Sequence, residues 1–294
     1  GSRRADPGRT DMSVGPIDVQ VIEPLRKLRL VVGDNDSGVT ADLTFTRSTA
    51  PMQEPRFTRH AGARVVMDYT RLTQFGTWSG WVVVDGERIE VSDEEVVGSR
   101  DRSWGIRTVG ERDAGAPTSA DFVMPQFFWL WAPMTFDDTC FHFDVQEDGD
   151  GRRWHWNGEL APVGGESTER AVDVSWHIDW TPGTRRASAA TITLSMLDGS
   201  SRRVDLEPIV DFQMLGIGYM HPEWSHGSWK GELAVGVERW ALADLDPMAF
   251  PHLHVQALCR ATRDDGAVGI GILEQLVIGP HAPSGFTELL DGAR

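Results

Sequence analysis

The chain has 294 residues and a net charge of −16, and 40% of its residues are hydrophobic. The negative field repels phosphate groups, which argues against nucleic acid or an anionic membrane surface as a partner. No apolar run approaches the roughly 20 residues that cross a bilayer, so no membrane span is expected.

The cysteine content and the N-terminus bear on the cellular setting. Cys140 and Cys259 are the only two cysteines, too few for a disulfide framework and without the spacing of metal ligands. A reducing, cytoplasmic location is therefore predicted. Residues 1–15 lack the apolar stretch of a signal peptide and are predicted to form a disordered or vector-derived tail.

Apolar and polar residues alternate along much of the N-terminal half, as they do in half-buried strands. The alternation runs over residues 39–45, and residues 81–84 lead through the turn-forming Asp85 and Gly86 into residues 88–91. These segments predict an antiparallel meander.

The same period returns in the C-terminal half. Residues 172–180 place their apolar side chains on one face, and residues 190–206 form a predicted hairpin around Asp198 and Gly199. A last predicted hairpin covers residues 253–272. The second half is therefore also predicted to be an antiparallel meander.

Helical periodicity is confined to two short segments, residues 93–97 and 241–249, which disfavours an α/β fold. Many short strands separated by turns predict an all-β protein built from barrels or sandwiches. A polar, glycine-containing stretch at residues 161–169 marks the predicted boundary between an N-terminal domain, residues 16–165, and a C-terminal domain, residues 166–294.

Residues 98–107 form the most informative segment because charged side chains are concentrated in it. In an extended chain the side chains divide between two faces: Arg100, Arg102 and Trp104 on one, and Asp101, Ser103 and Arg107 on the other. One face must point inward, where an ion costs several kcal/mol unless it is paired. A binding site and a structural ion-pair network stacked on Trp104 both fit this pattern.

A second polar segment, residues 218–232, carries His221, Glu223, Trp224 and His226 between flexible glycines. Pro222 prevents the helical i, i+4 geometry that places the two histidines of a zinc protease on one metal ion. General acid–base chemistry is therefore a better functional hypothesis for this segment than metal binding. A structural turn whose histidines bind backbone groups is the alternative.

The third group of candidates is aromatic. Trp129 and Trp131 could line a ligand cavity, stack on sugar rings or fill a barrel interior. His142 would share a strand face with Cys140 and Asp144 and is expected on a polar surface or in a lumen.

Two further patterns concern metals and cofactors. His252 and His254 have the i, i+2 spacing by which a strand can present two imidazoles to a metal, but no further ligands are identifiable. No phosphate-binding loop or nucleophile elbow occurs, so nucleotide cofactors and serine hydrolase chemistry are not expected. No cofactor or bound metal is predicted.

The segment Asp101-Arg-Ser-Trp-Gly105, the Trp129-Leu-Trp131 segment and Asp148-Gly-Asp-Gly151 together resemble the carotenoid hydratase (hydroxyneurosporene synthase) superfamily. The resemblance implies two lipocalin-like antiparallel β-barrel domains in tandem. That superfamily usually has Asp-His-x-Trp-Gly, and Arg102 stands in place of the histidine. Arginine cannot shuttle a proton at neutral pH, which puts inherited hydratase chemistry in doubt. An uncharacterised bacterial branch that shares the arginine and a His-Pro-x-Trp-x-His-Gly element is the most similar.

These observations lead to a functional hypothesis. The protein is expected to bind an apolar small molecule, such as a terpenoid, steroid or polyketide-like compound, with cofactor-independent hydratase, lyase or isomerase chemistry as an open question. The predicted catalytic residues are Asp101 as base or orienting group and His221, Glu223 or His226 as proton donor. The predicted ligand-binding residues are Arg100, Arg102, Trp104, Arg107, Trp129, Trp131, His142 and Trp224.

Two other functional classes stay open at this point. A non-catalytic lipophile carrier would use the same cavity without turnover, and a carbohydrate-binding module would use exposed tryptophans. A homodimer is also left open.

Overall fold

The computed structural model describes residues 1–4, 10–61, 63–106 and 126–294. Strands dominate these residues, and no α-helix occurs in them. Four short 3₁₀ turns are present: Met214–Ile217, Leu242–Asp244, Phe250–His252 and Ala282–Ser284. The all-β prediction of curled antiparallel sheets of the lipocalin-like type is thereby confirmed.

The first nine strands lie before the gap at residues 107–125. They are β1 Ser2–Arg3, β2 Ile17–Glu23, β3 Lys27–Val32, β4 Val39–Arg47, β5 Met52–Gln53, β6 Phe57–Ala61, β7 Arg64–Val84, β8 Glu87–Val91 and β9 Val97–Ile106. Strands β2 to β9 form an eight-stranded sheet in which the 21-residue β7 pairs with β4, β5, β6, β8 and β9. The long β7 is therefore the strand with which most other strands of this sheet pair.

The remaining strands follow the gap. They are β10 Phe127–Thr135, β11 Thr139–Glu147, β12 Arg153–Pro162, β13 Glu169–Arg170, β14 Asp173–Trp180, β15 Ala187–Ser195, β16 Ser201–Gln213, β17 Leu233–Ala234, β18 Val255–Arg263 and β19 Val268–Ile278. All but β17 form a nine-stranded antiparallel sheet in the order β13-β12-β11-β10-β19-β18-β16-β15-β14. The short β17 pairs with β1.

The two faces of the nine-stranded sheet differ. One face encloses an apolar core to which Phe128, Leu130, Phe141 and Phe143 belong. On the other face, Cys140 of β11 and Ala161 of β12 pack with Met52 and Phe75 of the eight-stranded sheet. The eight-stranded sheet therefore contacts the outer face at β11 and β12, whereas alternate residues of β14 and β16 on that face are exposed.

The predicted hairpins are present, with modest differences. The Asp85 and Gly86 turn joins β7 to β8 with both residues at positive φ, and the Asp198 and Gly199 turn joins β15 to β16. The predicted helix at residues 241–249 contains only the 3₁₀ turn Leu242–Asp244, and residues 93–97 form a turn that enters β9.

The chain passes from one sheet to the other at a different place from the predicted domain boundary. Strands β10 to β13 belong to the same sheet as β14 to β19, so the sheets separate between Ile106 and Phe127 rather than at residue 165. The division into domains at residues 165 and 166 stays a prediction. Of the predicted N-terminal tail, Ser2–Arg3 pairs with Leu233–Ala234, and residues 5–9 lie outside the described part. Within the described ranges, no helix is long and apolar enough to cross a membrane.

Candidate functional site

An ion pair between the two sheets is the centre of the site. Arg71 of β7 donates two hydrogen bonds to Glu54, from Nε to Oε1 and from Nη2 to Oε2, both 2.7 Å long. Both residues are buried, with 7% and 2% of their surface exposed. The guanidinium carbon lies 4.7 Å from the ring centroid of Trp129 and 5.6 Å from that of Trp131. The charge is therefore neutralised by Glu54 and covered by two indoles of the facing sheet.

Beside this pair lies a group of histidine and carboxylate side chains from β11 and β12. His142 Nε2 is 3.2 Å from Glu54 Oε1, and His155 Nε2 is 3.0 Å from Asp144 Oδ1. The amide of Asn157 lies 3.2 Å from His142 Nδ1. Ligand atoms of Glu54, His142 and Asp144 lie within 4.8 Å of one another, as the ligands of one metal ion would. We call Glu54, His142, Asp144 and His155 the inter-sheet cluster.

The cluster has opposite effects on its two carboxyl groups. Burial would raise the pKa of Glu54, but the charge of Arg71 and the nearby His142 outweigh it and lower the pKa below its ordinary value. Burial raises the pKa of Asp144, and the nearby charge of Glu54 raises it further despite His155 and His142. Glu54 is thus firmly ionised, whereas the ionised form of Asp144 lacks enough positive charge around it.

The strand register explains how these side chains meet. Asn157, Asp144, Trp131 and Glu274 are direct neighbours across β12, β11, β10 and β19, so they form one row on the outer face of the sheet. Period-two alternation keeps this row off the apolar core. The row therefore faces the eight-stranded sheet and its Arg71.

A second buried acid–histidine pair adjoins the row. Glu274 accepts hydrogen bonds from Trp129 Nε1 at 3.0 Å and from Gln256 Nε2 at 2.7 Å, and its Oε1 lies 2.8 Å from His254 Nε2. Burial would raise the pKa of Glu274, but the hydrogen bond and charge of His254 outweigh it and lower the pKa. Tyr219 contacts the His254 ring at 4.8 Å and the His226 ring at 4.2 Å between centroids.

Tyr219 thereby joins the pair to the polar segment at residues 218–232. Within that segment, His221 is buried, and its Nδ1 accepts the backbone N–H groups of Glu223 at 3.0 Å and Trp224 at 2.8 Å. Since Nδ1 is an acceptor, the neutral ring carries its proton on Nε2, which donates to Glu238 Oε2 at 3.0 Å. His226 Nε2 donates to the carbonyl oxygen of Ile217 at 3.0 Å.

A cavity of about 540 Å³ opens beside this segment. Its wall includes His221, Trp224, His226, Lys230, Glu238 and Trp240. Lys230 Nζ lies 5.4 Å over the Trp224 ring. We call this space the loop cavity; it combines flat aromatic surface with a few fixed polar groups.

The predicted site residues of β9 have a different setting from the one expected. Arg102, Asp101 and Trp104 are exposed and Arg100 is half-buried, so the alternative in which Arg100 and Arg102 form the inward face is wrong. Burial, reinforced by the charge of Arg102, lowers the pKa of Arg100. The buried arginine of this sheet is instead Arg71, which lies opposite Ser103 in the β7–β9 register.

The structure brings some of the predicted residues together. Trp129, Trp131 and His142 meet at the inter-sheet cluster, and His221, Trp224 and His226 line the loop cavity. The side chain of Glu223 is exposed, and only its backbone N–H takes part, in the bond to His221. Asp101 shares its strand face with Thr73 and Arg71, and the described wall of the loop cavity does not include it.

Arg107 lies outside the described residues. The i, i+2 strand geometry expected of the His252 and His254 pair is wrong, because Leu253 between them is in the right-handed helical region and β18 begins only at Val255.

Sequence reasoning missed several residues of the site. Arg71, Glu54, His155 and Glu274 were not distinguished from ordinary polar residues of strands and loops, and His254 was noted only for its spacing from His252. The alternation that places His142 opposite Phe141 and Phe143 extends to Asp144 and could have indicated the cluster. No local signal marks Glu54, because its role depends on a contact with a strand 17 residues away.

Comparisons with known proteins support the fold. An AttH-type protein of Nitrosomonas europaea matches with a TM-score of 0.55 and 18% identity, over 92% of this chain and 71% of that chain. CghA in complex with Sch210972 matches with a TM-score of 0.49 and 11% identity, over 90% and 67%. No curated protein sequence matches. The likeness to the Nitrosomonas europaea protein, at 18% identity, shows the architecture alone, and membership of the carotenoid hydratase superfamily stays a prediction.

The sequence profile of one family matches residues 1–287, nearly the whole chain. The chain therefore belongs to the family of unknown function DUF8625.

Proposed function

We propose that the protein binds an apolar or partly aromatic small molecule in the loop cavity and acts on it as a cofactor-independent acid–base enzyme. The observation that carries this proposal is the cavity itself, with Trp224, Trp240 and the His221–Glu238 pair on its wall. Small-molecule sites in proteins are typically concave, about 300–1,000 Å³ in volume, and mainly aromatic or apolar with few polar groups. The loop cavity, at about 540 Å³, lies within this range of volume and combines two indole rings with several polar groups.

The size and lining favour a particular class of ligand. Two indole rings offer flat apolar contact to a ring system, and Lys230 beside Trp224 offers a positive charge to a carbonyl or enolate oxygen. A terpenoid, steroid or polyketide-like compound with one polar end meets both requirements.

The hydrogen bonds assign distinct roles to the polar residues. His221 keeps its proton on Nε2 and directs it to Glu238, so His221 is a positioning residue for that carboxylate. Glu238 retains 41% exposure of its side chain toward the cavity and is the group that can accept a proton from a bound carbon acid. Return of the same proton to another carbon completes an isomerisation, whereas loss of a leaving group completes an elimination. In this proposal Glu238 takes the role of base that the sequence analysis assigned to Asp101.

Binding and turnover can be tested separately. Purified protein is incubated with farnesol, progesterone and naringenin as representatives of the three classes, and native mass spectrometry and chromatography record complexes and products. The Glu238→Gln variant should retain binding and lose at least about 100-fold in turnover, within the range of one general base. Glu223→Gln, an exposed carboxylate of the same segment, is the matched control and should be unaffected.

Two outcomes would contradict the proposal at different levels. Stoichiometric complexes whose ligand is always recovered unchanged would refute the enzyme and leave a carrier. Absence of any complex with all three classes would refute the binding function.

A further inference from the structure

We propose that Glu54, His142, Asp144 and His155 bind one divalent first-row metal ion of the Zn²⁺ type, which joins the two sheets. This site is separate from the loop cavity and does not depend on the proposed enzymatic function. The donor atoms come from both sheets: Glu54 follows β5, His142 and Asp144 lie on β11, and His155 lies on β12.

The first argument is the convergence of donors. One ligand atom each of Glu54, His142 and Asp144 lies within 4.8 Å of the others, and His155 Nε2 is 3.0 Å from Asp144 Oδ1. All four residues are at least 94% buried, with 2%, 0%, 0% and 6% exposure in chain order. Acidic groups that gather by chance lie on the surface, where water solvates them, and these do not.

The second argument is that four of the donor atoms, on Asp144, His142 and His155, lack hydrogen bonds. Both carboxylate oxygens of Asp144, His142 Nε2 and His155 Nε2 are buried without a partner in hydrogen-bond geometry, although the imidazoles lie within 3.0–3.2 Å of carboxylate oxygens. Buried polar atoms are nearly always satisfied in folded proteins. A cation at the centre of the group would satisfy all of these atoms at once.

The third argument is charge. The buried carboxylates of this region include Glu54, Asp144, Glu274 and Glu159. Arg71 is bonded to both oxygens of Glu54, and Arg170 lies 3.7 Å from Glu159. With ionised carboxylates and neutral imidazoles, these two arginines leave an excess of two negative charges, and one divalent ion would supply the opposite charge.

The surroundings resemble the outer shell of a metal site. Ligating carboxylates and imidazoles are usually held by further hydrogen bonds, which fix their orientation. Here Arg71 holds Glu54 through both oxygens, and the Asn157 amide lies 3.2 Å from His142 Nδ1. Metal binding through Nε2 would require Nδ1 to carry the proton and donate it to the oxygen of that amide. Two imidazole nitrogens and two carboxylate oxygens form a donor set that suits tetrahedral Zn²⁺. Since the site is closed on all sides, the metal would be structural.

Metal content and a spectroscopic probe test this proposal directly. The protein is produced with added Zn²⁺, purified without chelator, and measured by plasma mass spectrometry; one zinc per chain is expected. Replacement by Co²⁺ should give visible d–d absorption bands of a four-coordinate site. Asp144→Asn and His155→Gln should reduce the metal content at least tenfold.

The second buried acid–histidine pair provides the matched control. His254 lies 2.8 Å from Glu274 and is equally enclosed, so His254→Gln and His254→Asn, which remove an imidazole without changing any carboxylate, should keep the full metal content. Less than about 0.1 metal per wild-type chain, together with no visible bands after unfolding and refolding with Co²⁺, would overturn the proposal. Equal metal loss in the control variants would also overturn it, and neither wild-type measurement depends on whether a variant folds.

Discussion

The guanidinium carbon of Arg71 lies 4.7 Å from the ring centroid of Trp129, so a cation of the eight-stranded sheet contacts an indole of the nine-stranded sheet. The same guanidinium is held by both oxygens of Glu54, and the indole N–H of Trp129 is bound to Glu274. A carboxylate, a cation, an aromatic ring and a second carboxylate thus follow one another across the interface. The buried charges in this chain of contacts are compensated only while all of its members are present.

Arg71→Met should therefore destabilise the protein strongly. The substitution removes the cation and leaves Glu54 buried without its partner, which typically costs about 3–5 kcal/mol. Urea denaturation measures the free energy of unfolding of both proteins.

The exposed pair of Arg56 and Asp68 is the control for this prediction. It has the same two-bond geometry, at 2.7 Å for each bond, but the arginine is 68% exposed. Arg56→Met should cost less than about 1 kcal/mol. Equal effects of the two substitutions would show that the burial of Arg71 is not what makes its pair important.

Gly218→Ala should disturb the segment that lines the loop cavity. Gly218 has φ of 98°, and a Cβ there would lie 2.7 Å from the carbonyl oxygen of Trp224. We expect a loss of about 1–3 kcal/mol in unfolding free energy, because both the backbone conformation and the contact are unfavourable. Gly216→Ala, at a residue of the same wall with no atom within 4 Å of its Cβ position, should be nearly neutral. A harmless Gly218→Ala protein would contradict the described geometry.

Asp291 should give part of the stability a defined pH dependence. Burial would raise its pKa, but the backbone N–H groups of Thr287 and Glu288 and the guanidinium of Arg185 outweigh it and lower the pKa to about 2. An unfolded aspartate titrates near 3.9. The stabilisation is therefore complete above about pH 4 and is lost as the pH falls through about 2.

The Asp291→Asn protein isolates this contribution. Its unfolding free energy should be lower than that of the wild type by about 1 kcal/mol at pH 7. Urea unfolding from pH 7 to pH 2 should show the difference shrinking below pH 4. A difference that stays constant down to pH 2 would mean that the Asp291 carboxylate does not act through its charge.

The fold was predictable from the sequence because strand alternation and turn residues are local signals. The pairs Asp85 and Gly86, and Asp198 and Gly199, lie at the turns of real hairpins, and alternation identified the strands around them. The division between the sheets was not predictable in the same way. Residues 161–169 have a loop-like composition, but sheet membership is decided by long-range pairing such as that of β10 with β19.

The site was predictable only where its residues lie close in sequence. Trp129, Trp131 and His142 were recognised as aromatic or polar candidates on neighbouring strands, and His221 and Trp224 as members of one segment. The charged segment of β9 was expected to turn one of its two charged faces inward, whereas a buried arginine, Arg71, lies on the adjacent β7. The role of Arg71 in the site depends on its contacts with Glu54 and Trp129. Neither contact can be predicted from the residues next to Arg71 in the sequence.

The binding of a small molecule in the loop cavity is tested most directly by fluorescence titration with the apolar dye 1-anilinonaphthalene-8-sulfonate. Wild type, Trp224→Ala and Trp229→Ala are compared, because Trp224 lies on the cavity wall, whereas Trp229, in the same segment, is 58% exposed and lies off the described wall. We expect one saturable site that is weakened at least tenfold in Trp224→Ala and unchanged in Trp229→Ala. Unsaturable binding, or equal affinity in all three proteins, would contradict a ligand site in the loop cavity.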